Sequence, residues 1–219
     1  MRINQYIAQA TGMSRRAADE IIRAGRVMLN DNVAELGSAV ATHDTVKLDG
    51  KPIQPNQATM ICINKPVGYV CSRDGQGSKT VYELLPDELH HLKPIGRLDK
   101  DSSGLLLLTN DGAAANLLTH PKYNKQKVYE IELNKSLSNP DRTAIQKGIE
   151  LDDGISKLGI EGKGTKWTIV MSEGRNRQIR RTFDALGYKV TKLHRTEFGE
   201  YKIDDLGFGD FRHIPQGKA

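Results

Sequence analysis

Gly96-Arg97-Leu98-Asp99-Lys100-Asp101-Ser102-Ser103-Gly104, running directly into Leu105-Leu106-Leu107-Leu108-Thr109-Asn110-Asp111-Gly112, is the stretch that decides the reading of this chain. Four consecutive leucines describe a strand buried on both faces. Asp99 therefore stands at the mouth of an apolar core, where burial disfavours the charged form unless a cation or a hydrogen-bond cage supports it. Two readings stand side by side. Asp101, Ser102 and Ser103 suit an ordinary turn whose side-chain oxygens bond backbone amides. Asp99 suits it less, because Arg97 and Leu98 before it are not turn residues, and a dry, paired carboxylate is a chemical tool.

Outward from this stretch, strand and helix signals mix. Residues 60–63 read as a strand entering Asn64-Lys65-Pro66-Val67-Gly68, residues 80–85 as a short helix and residues 113–118 as another. Alternation over 128–133 gives a strand with Lys127, Tyr129 and Ile131 on one face. A helix start at Pro140, a strand over 167–171 and an amphipathic helix over 177–186, stopped by Gly187, complete the pattern. Strands outnumber helices without alternating one for one, which predicts an α+β domain around a mixed sheet.

Composition bounds the function. The 219 residues leave room for one sizeable core and a small module. No apolar run approaches the roughly 20 residues needed to span a bilayer. No signal-peptide pattern follows Met1-Arg2-Ile3-Asn4-Gln5, which predicts a cytoplasmic address. Cys62 and Cys71 lack zinc-knuckle spacing and read as buried free thiols, His90 and His91 are adjacent, and no metal is assigned. Of the net charge of +5, a surplus of six is concentrated between Lys163 and Lys202, where ten Lys and Arg face four Asp and Glu. Cationic charge concentrated in this way attracts a polyanion, although a solvated helix face carries charge too.

The first fifty residues read as a separate module. Ile3, Tyr6, Ile7 and Ala10 have helical spacing before Gly12, and Ser14 offers an N-cap for a second helix over 15–24. Short strands surround turns at Asn30-Asp31-Asn32 and Asp49-Gly50. Arg15, Arg16, Arg23 and Arg26 line the second helix and its exit, placed to hold RNA phosphates or simply to be solvated. Ile3-Asn4-Gln5-Tyr6-Ile7, Ser14-Arg15-Arg16-Ala17-Ala18-Asp19, Gly25-Arg26-Val27, Gly37 and Asp44 resemble the small RNA-binding module of ribosomal protein S-four, a helix pair on a bent sheet. The expected domains are 1–50 for this module, 51–58 for a linker containing Pro52 and Pro55, and 59–219 for the larger domain.

Gly174-Arg175-Asn176-Arg177-Gln178-Ile179-Arg180-Arg181 holds four arginines within seven residues, with Arg177, Arg180 and Arg181 spaced for one helical face. One of them is a candidate counter-ion for Asp99, the others for phosphates. Taken with Asn64-Lys65-Pro66-Val67-Gly68, Gly96-Arg97-Leu98-Asp99, Ser103-Gly104-Leu105-Leu106, Lys127-Val128-Tyr129 and Val190-Thr191-Lys192-Leu193-His194-Arg195, the ordered set resembles the bacterial ribosomal-RNA pseudouridine synthases of the Rsu and Rlu type. The segments 148–154 and 173–177 lean toward the large-subunit, RluB/RluF-like members.

That resemblance implies a catalytic domain on a mixed, mainly antiparallel sheet with flanking helices and a central cleft. It implies breakage of the N1–C1′ bond of a uridine in RNA, rotation of the uracil and its reattachment through C5, with no cofactor. Asp99 matches the catalytic aspartate, Tyr129 the residue that stacks on the base, Arg180 the arginine paired with the aspartate, Leu193 the apolar residue closing the pocket, and Arg97 a residue filling the space of the extruded nucleotide. Lys65, Lys127, Arg175, Arg177 and Arg181 are further candidate substrate contacts. The expected partner of this enzyme, a monomer, is ribosomal RNA or a ribosome-assembly intermediate, without a membrane. The rivals are a small-subunit target, a non-catalytic RNA-binding assembly factor with no need for Asp99, and a hydrolase pairing Asp99 with Asp101.

Overall fold

The leucine run forms the strand its composition demands. In the computed structural model, which describes residues 1–215, Ser103–Thr109 is buried at every position. Leu106 and Leu108 enter the main core on one face, and Leu105 and Leu107 join Leu118, Phe198 and Ile203 on the other. The last four residues of the expected 59–219 domain lie outside the described residues.

The chain divides into a unit spanning Met1–Thr59 and a second from Met60 onward. The first begins with helices α1 (Ile3–Thr11) and α2 (Arg15–Arg23). Gly12, at φ 76°, ends α1 in the left-handed conformation open to glycine. Ser14 caps α2 by accepting from the Ala17 amide at 3.0 Å. Strands β1 (Val27–Leu29), β2 (Asn32–Val33), β3 (Val46–Leu48) and β4 (Lys51–Ile53) form an antiparallel sheet ordered β2-β1-β3-β4. Ile3, Ile7, Ala18, Ile22, Val27 and Val46 fill the core between helices and sheet.

The linker expected over 51–58 is corrected at its start. Lys51–Ile53 pairs with β3, and Tyr6 donates its hydroxyl to the Ile53 carbonyl at 3.0 Å. Pro52 is tolerated because β4 is the outermost strand, where a missing amide donor loses no partner.

The second unit contains β5 (Met60–Lys65), β6 (Lys93–Ile95), β7 (Ser103–Thr109), α3 (Gly112–Thr119), β8 (Lys127–Leu133), α4 (Asn139–Lys147), β9 (Ile149–Leu151), β10 (Gly154–Ser156), β11 (Gly159–Lys163), β12 (Lys166–Met171), α5 (Gln178–Asp184), β13 (Val190–Phe198), β14 (Tyr201–Lys202) and β15 (Phe211–His213). The main sheet runs β11-β12-β8-β13-β7-β5-β15, with β14 on β13 and β6 on β7, while β9 and β10 form a separate hairpin. Every pairing described is antiparallel except β7 with β13, so the sheet is mixed and mainly antiparallel.

That parallel seam positions the site. It places Ser103 beside His194 and Gly104 beside Arg195, at the point where the Asp99 turn enters the sheet. Gly104 has φ 107°, and a Cβ there would sit 2.2 Å from the Arg195 carbonyl oxygen. Only glycine permits that approach.

Two expected helices are revised. Residues 81–84 form a 3₁₀ turn, with Glu83 reaching back to the Thr80 amide at 2.6 Å. Helix α5 starts at Gln178 and not at residue 177, because Arg177 is left-handed at φ 46°.

Candidate active site

Asp99 lies on a turn fixed by the segment following β5. The Cys71 thiol and the Leu98 backbone exchange two contacts of 3.3 Å, the Gly68 amide donates to Lys100 at 2.7 Å, and the Lys65 ammonium donates to the Ser102 carbonyl at 2.7 Å. The turn closes on itself with the Ser102 amide donating to the Asp99 carbonyl at 3.1 Å. The Asn64-Lys65-Pro66-Val67-Gly68 motif is thus the clamp of the Asp99 turn.

Lys65 is therefore corrected from a substrate contact to a buried support. It is fully buried, it also bonds the Pro66 carbonyl at 3.0 Å, and burial pushes its ammonium below the ordinary lysine range. Asp99 itself is wetter than the sequence suggests: a third of its side chain, 34 %, is exposed to the cleft.

The cleft encloses about 860 Å³. Asp99, Tyr129, Leu193, Ile179, Lys127 and Arg195 all line it. Tyr129 and Leu193 come from neighbouring strands β8 and β13, where Leu193 pairs with Ile131 and Arg195 with Tyr129. Paired and alternate residues share a face, so one side of the sheet presents the tyrosine ring, the leucine and the Arg195 side chain together. Arg97 lies exposed on the rim.

The arginine cluster is organised differently from the expectation. Arg180 was expected to pair with Asp99, yet it holds Asp101: Nη2 donates to the Asp101 carbonyl at 2.8 Å, Nε lies 3.3 Å from its carboxylate, and Nη1 donates to the Val190 carbonyl at 2.7 Å. Arg177 grips Asp101 with two bonds of 2.9 and 3.0 Å and stands 3.6 Å from Asp99. Asp101 is thus the shared anchor of both arginines. The Arg177 hydrogen bonds hold its carboxyl below the usual range, while burial lowers the Arg180 guanidinium.

Arg175 and Arg181 are likewise engaged. Both donate to Asp153 at the tip of the β9–β10 hairpin, at 2.7 Å for each closest contact. Arg175 also donates to the Gly154 and Ile155 carbonyls at 2.9 and 3.0 Å. These arginines tie the 173–177 loop to the hairpin, and only Arg175 of the two lines the cleft. Lys127 lies in the cleft, with its ammonium lowered by burial and 3.3 Å from the Ser172 carbonyl.

In the first unit Arg15, Arg16, Arg23 and Arg26 are all exposed. Arg26 is taken up by Asp49 at 2.9 and 2.6 Å, while the other three have no acidic partner among the described residues.

Sequence reasoning assigned no arginine-pairing role to Asp101 or Asp153 and no role in the site to Arg195. The signal for Asp101 was present: an acid two residues from Asp99 faces an arginine-rich segment of opposite charge. No helix among the described residues is long and apolar enough to cross a membrane.

Comparison with known proteins gives the family. The model of the RNA pseudouridylate synthase family matches residues 59–185. An uncharacterized RNA pseudouridine synthase of Aquifex aeolicus is 38 % identical over 100 % of this chain and 92 % of its own length. The ribosomal large subunit pseudouridine synthase B of Bacillus subtilis is 36 % identical over 97 % of this chain and 91 % of that protein. The dual-specificity RNA pseudouridine synthase RluF of Escherichia coli K12 is 34 % identical over 98 % of this chain and 75 % of that one. A crystal structure of a pseudouridylate synthase superposes with a TM-score of 0.72 at 29 % identity, covering 99 % of this chain and 96 % of the other.

Proposed function

Because the chain belongs to the RNA pseudouridylate synthase family, it converts uridine in RNA to pseudouridine, and we propose that Asp99 performs this step on ribosomal RNA of the large subunit. The observation that carries the residue assignment is the placement of Asp99, on a turn clamped at Leu98, Lys100 and Ser102, in the same cleft as Tyr129 and Leu193. The large-subunit target is supported by the Bacillus subtilis relative, a ribosomal large subunit pseudouridine synthase B.

A base inside folded RNA is out of reach, so the nucleotide must leave the stack at a cost of a few kcal/mol, offset by stacking and backbone contacts. Tyr129 offers the stacking face and Leu193 the apolar wall. Asp99 then meets the sugar or base with its carboxylate 3.6 Å from the Arg177 guanidinium. The apolar walls keep water from a base that has left its sugar and must recombine with it.

The first unit supports RNA binding through the three unpaired arginines of α2. The relatives' similarity spans 97 to 100 % of this chain and so includes this unit. We read it as the S-four-like RNA-binding module.

Asp99→Asn tests the reading, because it preserves shape and removes the carboxylate. With ribosomal RNA labelled by tritium at C5 of uridine, the wild type is expected to release tritium and the variant to bind equally while releasing none. Release by the variant at the wild-type rate would remove Asp99 from the mechanism.

A further inference from the structure

Arg195 is among the largest fully buried side chains, with 1 % exposure, yet no carboxylate lies within ion-pair distance of it among the described residues. Its Nε donates to the Leu105 carbonyl at 2.7 Å, while Nη2 is buried with no hydrogen-bond partner. Its guanidinium lies 5.1 Å from the centre of the Phe198 ring, and the Lys127 ammonium lies 5.2 Å from the same ring. An unpaired buried cation is costly, and a protein keeps one where an anion arrives to meet it.

The anion must arrive in the cleft, which Arg195 lines. It must also arrive beside Tyr129, the cross-strand partner of Arg195 on the same sheet face. That is the place of the base and not of the RNA backbone. Uracil is neutral in intact uridine, so it offers no such charge on binding. When the C1′–N1 bond breaks, the bonding electron pair stays with N1 and spreads to O2 and O4. The Asp99 carboxylate bonds to C1′ as N1 leaves, and that bond breaks, with its electron pair returning to the carboxylate, when C5 attacks C1′. After the ring turns, C5 forms the new bond to C1′ with the ring's electron pair. C5 then gives up its proton and N1 takes one up, so the sequence needs no co-reactant.

We propose that Arg195, assisted by Lys127, stabilises the negative charge that the uracil ring carries while it is detached from C1′. This rests on the function proposed above. A positive charge waiting for a charge that exists only during reaction favours the transition state over the bound substrate.

The test uses full-length enzyme in single-turnover reactions with ribosomal RNA, in which the target position holds either uridine or 5-fluorouridine. Fluorine withdraws electrons and disperses the ring's negative charge, and loss of the C1′–N1 bond is read in both cases as uridine or 5-fluorouridine remaining after nuclease digestion. Arg195→Met should lose at least ~100-fold in rate with uridine, keep RNA affinity within about threefold, and recover a large part of the loss with 5-fluorouridine. Arg195→Lys, which keeps the charge, should lose far less.

Lys127→Met is the second variant, with the same fluorine-dependent pattern in weaker form, and it decides the question if Arg195→Met does not fold. Equal losses on both substrates, or a loss carried by RNA affinity, would make Arg195 a packing residue and overturn the inference. Pseudouridine formation by the wild type is read separately. An active wild type with fluorine-insensitive variants overturns this inference alone, and an inactive wild type overturns the function on which it rests.

Discussion

Asp101 shows how one side chain sets the state of its neighbour. Arg177 and Arg180 both lean on its carboxylate, and this leaves Asp99 with one looser contact of 3.6 Å. Removing the Asp101 charge should let Arg177 close on Asp99. The bridge also contributes stability of a definite pH sense. The folded carboxyl is held below its ordinary value of 3.8 by Arg177, so its contribution is present above that value and lost as pH falls through the depressed one. We expect wild type to melt above Asp101→Asn at pH 7, and the gap to close below about pH 4. A gap unchanged down to pH 3 would mean that the pairing adds nothing to stability. The pair is half exposed, so the gap should be small and should shrink in salt.

At the scale of elements, the parallel seam between β7 and β13 depends on one missing side chain. Gly104→Ala would force a Cβ against the Arg195 backbone at a left-handed φ, and should cost about 2–5 kcal/mol. Thermal melting reads this directly, and a variant as stable as wild type would show that the seam can shift freely. The same elements show what a sequence discloses. Helices α1 and α2 and strands β7 and β8 were legible, because each carries an unbroken apolar period bounded by caps or turns. Strand β13 was not read as a strand. It buries His194 and Arg195 in consecutive positions, so polarity and burial disagree where the site is built. Asp99, Tyr129 and Leu193 were legible as an ordered set and do share a cleft. The partners of the arginines were not, because Asp153 lies 22 residues from Arg175 and 28 from Arg181, and a spacing pattern holds no trace of such contacts. Lys65 was misplaced for a related reason: a lysine at a strand end gives no hint that it turns inward.

For the molecule as a whole, charge is divided between two tasks. Arg175, Arg177, Arg180 and Arg181 are largely spent on internal carboxylates, whereas Arg15, Arg16 and Arg23 are free of them among the described residues. Replacing those three with glutamine should weaken binding of ribosomal RNA, lower the salt slope by about 2–3, and leave the single-turnover rate at saturating RNA unchanged. An unaltered salt slope would take the first unit out of RNA binding. Chain order adds a consequence of the clamp around Asp99. The residues that hold the turn, 65–71, leave the ribosome ahead of it, so the carboxylate emerges into a waiting mould. The strand that completes the cleft, β13, is made after β5, β7 and β8, and it sits between β8 and β7. A nascent chain lacking it has neither Leu193 nor Arg195, so the cleft of an unfinished polypeptide is open along one wall.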